Sequence, residues 1–428
     1  MKKKLLALVM CAAMLLVSCG ESISDSSPQE TGSSVSDTQT VTTTTCAETT
    51  TTATTTVSTT TSAVSTTTTT TTAKPEAPKD TVTQLMSQMT LEEKIAQLFI
   101  VRADALDANK TQSGGVTICS DDIKTTLRQY PVGGVIYFAN NVKDPAQLKK
   151  LSSDLQAASK YPLFITTDEE GGNVTRIAQD SDFNVARFGS MLYVGSTGDP
   201  GQAENVGKTI GKYMKDYGLN LDLAPVADVF SNPNNTVIGD RSFGSDAKNV
   251  SLMVSACVKG FHSQGVMTCL KHYPGHGDTS ADSHYGAVKV NTTWNELLTC
   301  ELIRFIGSLK DTDMIMASHI SLPNVTGDST PASLSKVMLT DKLRSELGYS
   351  GVIITDSLGM GAVTKSCPAA EIGVKVLEAG GDIMLGPTSL PIAYKGVLDA
   401  VKSGRLSEQR IDESVKRILD LKHKYGLI

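Results

Sequence analysis

From residue 90 onward, short apolar runs alternate with longer stretches in which apolar residues recur every three or four positions. Thr90-Leu-Glu-Glu93 has the form of a helix-capping box, with Ile95 and Leu98 on one face behind it. Mainly apolar runs at 97–101, 131–138, 163–167, 219–226, 266–270, 313–317, 351–355 and 382–385 predict eight strands. Between them, Asp144 and Pro145 read as cap and first turn of a helix carrying Leu148, Leu151 and Leu155. Val206, Ile210, Tyr213 and Tyr217 stripe the next helix. Further helices are predicted over 246–261, through Leu297, Leu298, Leu302 and Phe305, over 337–347 and 372–379, and near 391–402 and 407–424. Strands apolar on both faces belong to a parallel sheet that helices cover. Eight such units predict an α/β fold, a (β/α)8 TIM-like barrel. The alternative, an open doubly wound sheet, calls for a Gly-x-Gly-x-x-Gly turn after its first strand. No such turn follows 97–101.

The first eighty residues follow another pattern. Met1-Lys-Lys-Lys, an apolar run over 5–17 and then Ser18-Cys19-Gly20 predict a signal peptide over 1–18 rather than a membrane-spanning helix. Leu16-Val17-Ser18-Cys19 also resembles a bacterial lipobox. That resemblance implies export and lipid attachment at Cys19, which would hold the protein at the bacterial membrane surface. An ordinary secretory signal containing Cys19 is the other reading. Residues 19–80 are dominated by Thr and Ser, with Thr runs at 50–56 and 66–72. With few large apolar groups to offset backbone ordering, this stretch reads as a tether and a candidate for O-glycosylation. As a flexible coil it would average about 40–45 Å end to end. Residues 81–428 remain as one barrel domain.

Composition narrows the partners. A net charge of −6 and no basic cluster in the folded part argue against nucleic acid. Five of the eight cysteines fall in the barrel region, Cys119, Cys257, Cys269, Cys300 and Cys367. Their odd number and wide spacing suit neither a disulfide framework nor a zinc site.

Ionisable residues recur where the apolar runs stop. Asp168 follows the third run, Asp222 and Asp228 surround the end of the fourth, and Lys271 and His272 follow the fifth. His319 follows the sixth and Asp356 the seventh. Residues 271–284 are the densest stretch: His272, His276 and His284 with Asp278 and Asp282, on what reads as a loop broken by Pro274, Gly275 and Gly277. Each group alone could be a helix cap, an Asx turn or a satisfied core histidine. Together they mark the carboxyl ends of barrel strands, where active sites lie.

Lys271-His-Tyr-Pro-Gly-His-Gly-Asp278 with Asp282-Ser-His284 resembles the signature of the family 3 glycoside hydrolases, in their β-N-acetylglucosaminidase branch. Asp168-Glu-Glu-Gly-Gly172, Ala224-Pro-Val226 with Asp228, Ile238-Gly-Asp-Arg-Ser-Phe243 and Thr355-Asp-Ser357 add to it. The resemblance implies a barrel that removes terminal β-linked N-acetylhexosamine from cell-wall fragments or related glycans, with retention and without a cofactor. It implies Asp356 as nucleophile and His284, paired with Asp282, as acid/base. It implies Asp168, Arg241, Lys271 and His272 as sugar ligands; Asp228 and His319 are rim residues of weaker standing. Asn173 departs from the basic residue that many relatives carry after the Gly-Gly pair.

Other readings stay open on sequence alone. His272, His276, Asp278 and His284 are metal-ligand types, although Pro274 and Gly275 interrupt the helix that would align the first two. A β-glucosidase or β-xylosidase of the same family, an N-acetylglucosaminide phosphorylase and a non-catalytic glycan-binding lipoprotein are the remaining alternatives.

Overall fold

A computed structural model describes residues 80–107, 115–279, 283 and 286–428. The signal-like segment, Cys19 and the tether lie outside the described residues, as do Asp282 and His284. Eight strands form one parallel sheet: β1 (Phe99–Arg102), β2 (Gly134–Ile136), β3 (Phe164–Thr167), β4 (Leu221–Asp222), β5 (Met267–Tyr273), β6 (Met314–Ala317), β7 (Val352–Thr355) and β8 (Met384–Leu385). β8 pairs with β1, and each following strand pairs with the next through to β7. A parallel bridge between Ile354 and Ile383 joins β7 to the start of β8 and closes the ring. Helices separate most of the strands along the chain, so the architecture is the barrel that the hydrophobic pattern predicts.

Local chemistry sets the helix boundaries. Thr90 Oγ1 accepts the Glu93 N–H, and Glu93 Oε2 accepts the Thr90 N–H, each at 3.2 Å. This closes the capping box ahead of helix Leu91–Gln97. Asp144 accepts the Gln147 N–H at 2.9 Å and starts Pro145–Ala158. Helices Pro200–Asp216 and Ala247–His262 meet at glycines. A Cβ on Gly207 would lie 2.1 Å from the Cys257 carbonyl oxygen, and one on Gly260 would lie 2.2 Å from that of Glu204. Among the described residues no helix is long and apolar enough to cross a membrane.

Four details differ from the sequence pattern. β4 is two residues long instead of eight; beyond it Pro225 has no N–H for the ladder, and pairing with β5 returns as the Val226–Lys271 bridge. β5 continues through Tyr273, so Lys271 and His272 stand on a strand and the loop begins at Pro274. The helix expected through 297–305 is two short helices, Trp294–Thr299 and Ile303–Ser308, broken at Cys300 with φ −132° and ψ −80°. Residues 288–289 and 320–321 also pair as a separate two-stranded sheet.

The amino-terminal end of the barrel carries an unusual buried cation. Lys422, on the last helix Glu408–Lys424, is fully buried and donates to Gln97 Oε1 at 2.8 Å, with its ammonium 4.8 Å from the Phe164 ring centre. Among the described residues no carboxylate compensates the lost hydration, and burial pushes its pKa down to about 7. An unfolded lysine titrates near about 10.4. Between those values the unfolded chain holds the extra proton, so this group's contribution makes folding more favourable as pH rises. Lys422→Met is therefore expected to raise the thermal midpoint at pH 6 by roughly 3 °C. The gap should close toward pH 10; a lower midpoint in the variant would contradict this account of Lys422.

Candidate active site

A cavity of about 550 Å³ opens at the carboxyl ends of the strands, within the size range of small-molecule sites. Its wall includes Asp168 and Glu170 beyond β3, Arg241 beyond β4, Lys271 and His272 on β5, and Asp356 beyond β7. Ile136, Leu223, Met316, Met360 and Leu385 give it apolar surface.

The segment after β3 is shaped by two carboxylates that do not line the cavity. Asp222 Oδ1 accepts the Glu169 N–H at 3.0 Å. Glu169 in turn accepts the N–H groups of Arg176, Ile177 and Ala178 at 2.6–2.9 Å and the Tyr213 hydroxyl at 2.8 Å. Asp222 is fully buried, and burial together with the charge of Glu169 pushes its carboxyl well above the usual range despite the Glu169 N–H. It supports the turn through that one hydrogen bond.

Asp168 and Glu170 are two apart on an extended segment, so they can face the same way. Lys271 Nζ lies between them, 2.8 Å from Asp168 Oδ1 and 2.5 Å from Glu170 Oε1. Arg241 closes a two-pronged pair on Glu170, with Nε and Nη2 each 2.8 Å from an oxygen, and its Nη1 donates to the Val237 carbonyl. Burial alone would raise the Glu170 pKa, but Arg241 and Lys271 outweigh it and hold the carboxyl at about 2. Burial works against the Lys271 charge, and Asp168 and Glu170 overcome it, so the ammonium stays protonated. The result is a rigid set of charged donors and acceptors. Asp168 also lies 3.6 Å from Arg176 Nη2.

Asp228 and His319 do not line the cavity; they are buried behind its wall. Asp228 Oδ2 holds His272 Nδ1 at 2.6 Å, and its Oδ1 accepts the N–H groups of His272 and His276 at 3.3 and 2.7 Å. His319 Nε2 donates to the Ser357 carbonyl at 3.0 Å, and its Nδ1 meets Ser333 Oγ at 2.7 Å. Both therefore stand behind the wall rather than at the rim position that the sequence suggests, with polar atoms bound to protein groups.

Asp356 is anchored through its own N–H to the Ala317 carbonyl, and its Oδ1 accepts the Ser357 N–H at 2.7 Å. Burial would raise its carboxyl pKa, but the His319 and His272 imidazoles, the Ser357 N–H and Lys271 outweigh burial and hold it below the usual value. An ionised carboxylate with one oxygen tethered is thereby presented to the cavity.

The 271–284 stretch divides after Tyr273. Gly277 lets the loop pass against the preceding segment, since a Cβ there would lie 1.5 Å from the Val229 carbonyl oxygen. His276 binds within the loop, to Thr279 Oγ1 at 2.8 Å and Ser283 Oγ at 3.3 Å. Burial and the neighbouring His272 push its pKa down despite Asp228. Asp278 accepts the Thr292 hydroxyl at 3.0 Å. Among the described residues no three His, Cys, Asp or Glu side chains converge as a metal-ligand set.

Glu170 is the site residue that sequence reasoning passed over. Its signal was present: it stands two residues from Asp168 and so shares that residue's face beyond the strand. Arg102 and Arg176, which flank the Phe138 ring at 4.0 and 6.0 Å, also line the cavity and carried no signal of their own.

The model of the glycosyl hydrolase family 3 N terminal domain matches residues 90–421. Beta-hexosaminidase A of Pseudoalteromonas piscicida is 35% identical over 343 residues, covering 72% of this chain and 56% of that protein. Beta-hexosaminidase LpqI of Mycobacterium tuberculosis is 32% identical over 344 residues, 77% of this chain and 82% of that protein. Among solved structures, a glycoside hydrolase family 3 beta-N-acetylglucosaminidase from Paenibacillus sp. str. FPU-7 superposes with a TM-score of 0.73 at 36% identity. That superposition covers 79% of this chain and 63% of the other. The match thus spans little more than half of the first relative's length.

Proposed function

Because this chain belongs to glycosyl hydrolase family 3, we propose that it is a retaining exo-β-N-acetylglucosaminidase acting on terminal β-linked N-acetylhexosamine. The names of the relatives support the sugar class. One observation supports the chemistry above the rest: Asp356 is ionised and tethered at the end of β7, in a cavity that also holds the Asp168–Lys271–Glu170–Arg241 network.

In this reading the network and His272 take the sugar hydroxyls, with carboxylate oxygens accepting and Lys271 and Arg241 donating. Asp356 attacks the anomeric carbon as its bond to the leaving oxygen breaks, and His284 gives that oxygen its proton. Water then attacks the glycosyl ester, returns a proton to His284, and frees Asp356. Asp282 holds the imidazole in the working tautomer. We place the enzyme outside the cell, anchored through lipid on Cys19, with cell-wall fragments or related glycans as substrates.

The test compares p-nitrophenyl β-N-acetylglucosaminide with the β-glucoside, each with and without phosphate. Free N-acetylglucosamine should form at least about 100-fold faster than glucose, and phosphate should change neither product nor rate. Preference for the glucoside, or release of a sugar phosphate, would overturn the proposal. The acid limb of kcat/KM should fall below the ordinary aspartate range, since Asp356 stays ionised there. A limb at or above that range would contradict its assignment.

A further inference from the structure

Glu169 stands between two residues of the cavity wall, Asp168 and Glu170, while its own side chain is buried and takes no part in that wall. Its backbone and its carboxylate are both held. The Glu169 N–H donates to Asp222 Oδ1 at 3.0 Å, at the end of β4. Four donors meet the carboxylate, two at each oxygen. Oε2 accepts the N–H groups of Arg176 and Ile177 at 2.6 and 2.9 Å. Oε1 accepts the Ala178 N–H at 2.9 Å and the Tyr213 hydroxyl at 2.8 Å.

Three consecutive backbone N–H groups turned toward one carboxylate make an anion nest. The chain between the carboxylate and its nest is a tight excursion. Within it the Glu170 N–H donates to the Val174 carbonyl at 2.9 Å, and Gly171 and Val174 pair as an antiparallel bridge. One side chain thus fastens the two ends of the excursion together, and Tyr213 ties that side chain to the helix Pro200–Asp216. What returns at the far end is Arg176. It lines the cavity with its Nη2 3.6 Å from Asp168 Oδ2, beside the carboxylate with which the excursion began.

We propose that Glu169 is a positioning residue for sugar recognition, holding the Arg176 guanidinium beside Asp168 by gripping the backbone that carries it. The proposal rests on the reading in which Asp168 and its network take the sugar hydroxyls, because Arg176 acts there through Asp168. A hydrogen bond tolerates little error in distance or angle, so a carboxylate that receives a hydroxyl needs its neighbours fixed. Every partner of the Glu169 carboxylate is a donor, and a carboxylate only accepts. A glutamine of the same shape would turn its NH2 toward two of those donors, loosening the nest without opening a cavity.

The test is a double-mutant cycle between Glu169→Gln and Arg176→Ala, read as kcat and KM on p-nitrophenyl β-N-acetylglucosaminide. The inhibition constant of N-acetylglucosamine gives a second measure of sugar binding. Glu169→Gln alone should raise KM and the inhibition constant together by about 10-fold and leave kcat within about threefold. With Arg176 already replaced, the same change should add no more than about threefold, because its effect passes through that side chain. A merely structural role would give equal factors in both backgrounds. Equal factors, a fall in kcat with KM unchanged, or wild-type constants in Glu169→Gln would overturn the positioning role while leaving the hydrolase intact. If Glu169→Gln folds poorly, Tyr213→Phe carries the test, since it removes one donor and leaves three. It should raise KM by about threefold, and an unchanged KM there would overturn the proposal. A wild type that does not cleave the glycoside would overturn the functional reading and this one with it.

Discussion

Replacing Asp356 by alanine is expected to lower kcat/KM for p-nitrophenyl β-N-acetylglucosaminide by about 10⁴-fold or more, the scale of losing an enzyme's nucleophile. Without the carboxylate there is no covalent intermediate, and protonation of the leaving oxygen alone leaves the developing cation uncaptured. The surroundings need not change: the Asp356 N–H still meets the Ala317 carbonyl, and His319 still holds the Ser357 carbonyl. Asp356→Asn keeps the shape and an oxygen for the Ser357 N–H, and it should be nearly as inactive. Thermal midpoints close to wild type in both variants would separate lost chemistry from lost folding. Activity within tenfold of wild type in either would place the nucleophile elsewhere.

The second large effect is expected at Glu170, through stability as well as binding. Its carboxylate receives both Arg241 prongs and Lys271. Glu170→Ala would leave Arg241 without its anionic partner and Lys271 with Asp168 alone. Breaking a buried pair from one side costs about 3–5 kcal/mol, which urea unfolding can measure. The same loss frees the Arg241 fork and should raise KM. Glu170→Gln gives the pH signature. An unfolded glutamate titrates near about 4.3, while the folded carboxyl is held at about 2. Its contribution is thus complete above about 4.3 and is lost as pH falls toward about 2. The wild type should lose its advantage over Glu170→Gln across that window. A gap that stays constant from pH 6 to pH 3 would mean that the ion pairs contribute little.

Much of this was legible in the sequence because it depended on local chemistry. The capping box at Thr90–Glu93, the Asp144–Pro145 helix start and the eight apolar runs each follow from side-chain size, period and hydrogen-bonding capacity. The positions of Asp168, Lys271 and Asp356 followed once those runs were read as strands of a barrel. What stayed hidden depended on contacts between distant segments. Asp228 looked like a rim residue because sequence places it after β4, yet its partners His272 and His276 come from more than forty residues away. His319 looked the same until Ser333 and Ser357 took both ring nitrogens. The break at Cys300 and the shortening of β4 also escaped the pattern.

The proposed reaction passes through a carboxylate that becomes covalently glycosylated. Its most direct test is to trap the intermediate with a slow fluorinated N-acetylglucosaminyl substrate, digest the protein and locate the sugar by mass spectrometry. One sugar should be found per chain, on the peptide containing Asp356, and none on the Asp356→Ala protein. A sugar attached to any other residue, or turnover of the same substrate with inverted configuration and no adduct, would contradict it.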